Sequence, residues 1–317
     1  MSKLSNNQGR GYEYACIHEL FLFINKIRPA MIKKNSSLES AEKAYNSLSK
    51  SQKEDYRKSA KAMIPTICEC EPRITENDGD MLELFIQQDE EGKKGDVRDI
   101  IILRSELKWE VGLSIKHNHF AVKHSRLSPT IDFAKKWFGY PCSNKFWDEV
   151  NPIFNTLEKA KQNGKKFCEI ANKEKNVYEP IIHAFINEVK RQYKSHPDIP
   201  AKMVEYLLSK YDFYKVVSLD DKKITQIQTY NLHKTLNKSA KKRKPSLIIP
   251  VVSLPTSIIK IDFFPNRTNT AELYLNNGWY FTFRIHNAET YATPSLKFDI
   301  QLKGMPIEVL TINCIWK

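Results

Sequence analysis

From Tyr12 to Ile27 apolar side chains recur at helical spacing (Tyr12, Ala15, Cys16, Leu20, Phe23, Ile24, Ile27) and Pro29 ends the run, which predicts an amphipathic helix. A more polar helix is expected between Leu38 and Met63, in one or two pieces, with Pro65 as its stop. The period then shortens from about 3.6 to about 2 residues. MLELFIQQD, DIIILR and KWEVGLSIK read as strands separated by glycine- and charge-rich turns, and the three fit a meander. In SPTIDFAKKWFG, Ser128 is placed to cap a short helix, with Pro129 in its first turn and Gly139 as its end. Two stronger helices follow, VYEPIIHAFINEVKRQYK and PAKMVEYLLSKYDF, and then the chain turns to strands: YKVVSL, KITQIQTY and a β-rich end from Leu247. Asn277-Gly278, between the alternating runs of LYLNNGWYFTFRI, marks a two-residue hairpin.

These elements describe an α/β protein with a mixed sheet flanked by helices and a β-rich C-terminal region. The 317 residues suffice for a full core in one large or two modest domains. A net charge of +13 favours a polyanionic partner. The longest apolar runs, LFLFI and LIIPVV, fall far short of the ~20 residues that cross a bilayer, so a soluble, cytoplasmic protein with no membrane partner is expected. Six scattered cysteines suit reduced thiols, and Cys68-x-Cys70 lacks the second pair that structural zinc needs.

The densest chemistry lies in GDVRDIIILRSELKWEVGLSIKHNHFAVKHSRLSP, residues 95–129. Alternation in KWEVGLSIK gives one face to Trp109, Val111, Leu113 and Ile115 and the other to Glu110, Gly112, Ser114 and Lys116. Asp99 stands at the mouth of the preceding apolar strand, with Asp96 three residues earlier. Adjacent strands lie ~4.8 Å apart, so an acid at one strand end and a lysine on its neighbour can serve one site. Phosphodiester hydrolysis needs carboxylates that hold a divalent ion and a cation near the nucleophile, and Asp99 and Lys116 fit those roles. Hard oxygen ligands point to Mg²⁺. A salt-bridged strand end fits the same spacing.

Asp99, an apolar strand, and a second strand ending Ser114-Ile115-Lys116 resemble the PD-(D/E)xK nuclease core. The longer run, with MVEYLLSKYDFYKV, NNGWYFTFRIHNA and the chain length, resembles the HaeIII-type restriction endonucleases over nearly the whole chain. That resemblance implies a restriction-endonuclease-like fold and a Mg²⁺-dependent type II enzyme that cuts double-stranded DNA at a short palindrome, GGCC for HaeIII-type members. It also implies a cognate DNA methyltransferase as functional companion. A nuclease core over 1–150, a helical region over 151–213 and a β-rich, target-reading region over 214–317 are expected. A palindromic site favours a homodimer. A structure-specific repair or recombination nuclease and a non-catalytic DNA-binding protein are the competing classes.

One position departs from the pattern: Ser114 stands where an acid is expected two residues before the lysine. Glu110 shares that face but is six residues from Lys116, or ~20 Å along a strand. The second acid is therefore sought on another element, with Asp132, Glu13 and Asp96 as candidates. Behind the strand, His117, Asn118, His119, Lys123, His124 and Arg126 are candidates for DNA contact, Arg126 being one that could read guanine. The run Lys241 to Lys244 is either a phosphate-tracking loop or a solvated linker. Trp279, Arg284 and His286 lie on or near the hairpin, where aromatics more commonly serve the core.

Overall fold

The period-two runs pair as the alternation predicts. The structure, a computed structural model, describes residues 3–88, 95–118, 120 and 122–317. In chain order the first elements are α1 (Lys3–Ile24), β1 (Ala30–Ile32), α2 (Ser36–Asn46), α3 (Lys50–Cys70), β2 (Leu82–Ile86), β3 (Ile100–Arg104), β4 (Trp109–His117) and β5 (Lys123–Leu127). Helices α4 (Phe133–Phe138), α5 (Asn144–Gln162), α6 (Glu179–Ser195) and α7 (Ile199–Leu207) follow. The remaining strands are β6 (Phe213–Leu219), β7 (Ile224–Tyr230), β8 (Ile258–Phe263), β9 (Thr270–Leu275), β10 (Tyr280–His286), β11 (Leu296–Gly304) and β12 (Thr311–Ile315).

They cluster into two units, each built from separate stretches of chain. Met1–Phe120, Ser209–Ser253 and Ile307–Lys317 form the first, and Ala121–Leu208 with Leu254–Pro306 the second. The expected segments were contiguous, whereas β6, β7 and β12, all beyond residue 212, join the first unit's sheet.

That sheet has seven strands in the order β1-β2-β3-β4-β6-β7-β12. The β2-β3-β4 meander is antiparallel, and β4 pairs in parallel with β6. A strand buried on both faces must sit inside a sheet, and Val111 to Ile115 are buried without exception. One face packs under α1 and α3: Tyr12, Cys16, Leu20, Tyr56, Met63 and Ile67 share a core with Leu84, Ile102, Val111, Leu113, Ile115 and Val216. Alternation turns Gly112, Ser114 and Lys116 to the other face. Asp80 ties the loop ahead of β2 to this unit, accepting from Arg28 and, at 2.8 and 2.7 Å, from Arg104.

Two helix boundaries differ from expectation. Pro65 does not end α3, which runs on to Cys70. Proline lacks one backbone donor, but the buried stripe of Met63, Ile64, Ile67 and Cys68 outweighs that loss and keeps the helix going. Helix α4 is capped by Asp132, whose side chain accepts from the Lys135 N–H, and not by Ser128.

In the second unit the sheet order is β5-β11-β10-β9-β8, antiparallel throughout. Trp137, Phe185, Phe283 and Phe298 meet in one aromatic cluster. The hairpin falls at Asn277 (φ 60°) and Gly278 (φ 82°), the left-handed pair that a tight β9-β10 turn requires. Trp279 is buried and belongs to the core. Among the described residues, no helix is long and apolar enough to cross a membrane.

The segment after β7 has no strand for some 25 residues and is held by side chains. Glu71 Oε1 accepts from the Asn237 N–H (2.6 Å) and the Tyr214 hydroxyl (2.7 Å), while Oε2 is buried with no partner among the described residues. Burial pushes this carboxyl up to about 7, although both hydrogen bonds favour its charged form. An acid raised on folding stabilises below its unfolded pKa, and that contribution is lost as pH rises towards the folded value. Glu71→Gln should therefore be more stable than the parent at pH 8, by on the order of 3 kcal/mol, with the difference vanishing near pH 4.5 in denaturant titrations. A constant difference across that range would contradict a titrating Glu71.

Candidate active site

The pairing of β3 with β4 sets Ile100 opposite Leu113, and the Asp99 N–H extends the ladder by donating to the Leu113 carbonyl at 2.8 Å. Asp99 therefore meets β4 near its far end, beside Ser114 and Ile115. Its Oδ2 accepts from the Ile115 N–H (2.6 Å) and from Lys116 Nζ (2.9 Å). Ser114 Oγ lies 3.4 Å away, longer than a good hydroxyl hydrogen bond. Both charged side chains are 25% exposed, enough for a phosphate to approach them.

The candidates for the second acid separate clearly. Both oxygens of Asp96 are engaged, by Arg98 at 2.7–3.1 Å and by Gln87 at 2.9 Å. Asp132 belongs to the second unit and caps α4, with two further bonds from the Cys142 N–H. Glu110 pairs with Arg98. Glu13 lies on α1, one turn before Cys16. Burial drives the Cys16 thiol up, and the charges of Glu13 and Asp99 both add to that shift.

The residues after Lys116 divide. His117 points into the core face, its Nε2 2.6 Å from Asp220 Oδ2 and its ring against Tyr56. Asn118, in left-handed backbone, accepts the Asp220 N–H. The structure thus uses both to join the ends of β4 and β6. Lys123 and Arg126 lie on β5 of the second unit, Lys123 donating to the Tyr206 carbonyl and Arg126 to Ser295. His119 and the side chain of His124 fall outside the described residues. Lys241 reaches Asp78 at 3.2 Å, and the Lys241 and Lys242 N–H groups bond Glu76, so the start of the basic run is tied to acids.

One group near the site was missed in the sequence. Lys215 of β6 sits in register with Ser114, on the face that carries Lys116, and is 3% exposed. Its ammonium donates to the Phe120 carbonyl at 2.9 Å. Burial, reinforced by the Lys116 charge, lowers its pKa to about 7. The available signal was a lysine inside the apolar strand YKVVSL.

A family model described as the HaeIII restriction endonuclease matches residues 9–306. The type II restriction enzyme HaeIII of Haemophilus aegyptius is 51% identical over the full length of both chains. This chain belongs to the HaeIII restriction endonuclease family. No solved structure matches it. HaeIII-family membership makes the protein a type II, site-specific deoxyribonuclease rather than a repair nuclease or a passive DNA-binding protein. Type II restriction endonucleases use a divalent cation. Among the described residues no group of three or more His, Cys, Asp or Glu side chains gathers as a ready cage. Magnesium keeps several waters and takes only one or two protein carboxylates, so the sparse acids of this HaeIII-family site fit it. Among the described residues the side-chain bonds to Asp99 fall on Oδ2, which leaves Oδ1 for a cation.

Gly112 is needed beside this site. A Cβ there would stand 2.1 Å from Arg98 Cδ and 2.6 Å from Cγ, because the Arg98 stem crosses the strand to reach Glu110. Gly112→Ala should cost about 1–3 kcal/mol in denaturant unfolding by displacing Arg98 from Asp96 and Glu110. Unchanged stability would mean that Arg98 moves aside freely.

Proposed function

We propose that the chain hydrolyses duplex DNA at GGCC with Mg²⁺, through Asp99 and Lys116 as the reactive pair. The observation that carries this reading is the 2.9 Å contact between Lys116 Nζ and Asp99 Oδ2 on a partly open sheet face. Asp99, with Glu13 of α1 as the second acid, would hold the ion. When bound, the ion supplies Lewis-acid charge to the phosphoryl group and the attacking water.

The chain's own residues do the remainder. The Ile115 N–H fixes the Asp99 carboxylate in orientation, so Oδ1 is presented and Oδ2 stays with Lys116. The Lys116 ammonium then orients the attacking water or meets the charge growing on the phosphate, where a preorganised donor acts without reorganisation. Ser114 occupies the usual acid position as a neutral neighbour, which explains why a carboxylate must come from elsewhere. Arg126 and Lys123, on the second unit's sheet, are the donors proposed for target contact, in keeping with recognition by the β-rich region. His117 and Asn118 act by holding the β4 and β6 ends in place. The working unit is a homodimer matched to the palindrome, in the cytoplasm, with a GGCC methyltransferase protecting host DNA.

Digestion of plasmid DNA tests this. With Mg²⁺ the parent should yield discrete GGCC-bounded fragments, and chelator should abolish them. Asp99→Asn and Lys116→Met should each lower the cutting rate by about 10³-fold or more while a GGCC duplex is still bound. Glu13→Gln should fall in the same class. Wild-type rates in Asp99→Asn would exclude the site.

A further inference from the structure

A cleft of about 520 Å³ opens in the first unit at the start of β4, beside the residues that precede β6 and follow β7. Arg73, Lys108, Lys210, Lys234 and Lys238 edge it, and Trp109 lines it. Its acids are already matched. Glu110 pairs with Arg98 at 2.7 Å, and Asp212 accepts from the His233 N–H, the Thr235 N–H and the Thr235 hydroxyl at 2.7–2.8 Å. The four lysines, by contrast, are exposed and enter no ion pair among the described residues. Trp109 is 5% exposed, and its indole N–H is buried with no acceptor among the described residues. Surplus positive charge around an open cleft suits a ligand that brings anionic oxygens.

The position of the cleft narrows the choice. Glu110, on its wall, shares a β4 face with Ser114 and Lys116. Six residues of strand separate Glu110 from Lys116, or roughly 20 Å. Duplex DNA rises ~3.4 Å per base pair, so about six base pairs span that distance. A polyanion long enough to be engaged at Lys116 and still reach the cleft is the ligand that both features fit.

We infer that this cleft is a backbone-phosphate subsite for DNA flanking the recognition sequence, using charge and not base identity. The inference rests on the nuclease reading of the Asp99 face. Its test measures binding in chelator, where no cutting occurs, so it can fail independently of the assignment of Asp99 and Lys116. GGCC-centred duplexes of about 8 and about 30 base pairs, the second long enough to reach the cleft, are titrated across a salt series. The parent should bind the long duplex more tightly and with the steeper salt dependence. The triple variant Lys108→Gln, Lys210→Gln, Lys234→Gln should lose that length advantage, its long-duplex slope of log K against log salt falling by about 2 to 3. Arginine at the same three positions should restore it. An unchanged slope in the glutamine variant, or an equal loss on both duplexes, would overturn the subsite.

Discussion

The register between β3 and β4 is the constraint from which the site follows. With Ile100 opposite Leu113, the Asp99 N–H reaches the Leu113 carbonyl, and the Asp99 side chain is delivered to the Ile115 N–H and the Lys116 ammonium. A slip of one residue would turn Ser114 and Lys116 into the apolar core under α1 and α3 and send Leu113 and Ile115 outward. Burial of that core therefore enforces the geometry of the charged pair. The arrangement of the proposed reactive pair is held by hydrophobic packing on the opposite side of the same strand.

Period-two alternation over residues 108–116 made β4 and its polar face legible in the sequence, and an aspartate at the head of an apolar strand made Asp99 so. What stayed hidden depended on distant pairing. Asp132 and Asp96 look like Asp99 as letters; only coordinates reveal that one caps a helix and the other is gripped by Arg98. Lys215 was invisible as a neighbour of Ser114 because β6 returns to β4 after some hundred residues. The same return interleaves the two units, which contiguous segments of chain cannot express. Pro65 misled because a local breaker was weighed without the buried stripe that overrides it.

The charge surplus is not spread evenly in its effects. Arg28, Arg98 and Arg104 are locked to carboxylates and act as structural ties, and Lys241 is tethered to Asp78. Lys215 is buried and sensitive to its neighbour Lys116. Four exposed lysines that enter no ion pair among the described residues edge the cleft at the start of β4. Net charge alone pointed to a polyanion, but only the pairing pattern distinguishes cations that hold the fold from those open to a ligand.

The most direct measurement is a crystal structure of the protein with a GGCC duplex and Ca²⁺ in place of the proposed Mg²⁺. A cation held by Asp99 against a backbone phosphate, with Lys116 Nζ within hydrogen-bond reach of that phosphate or its adjacent water, is the expected result. A duplex whose GGCC phosphates and bound cation lie away from both side chains would contradict the assignment.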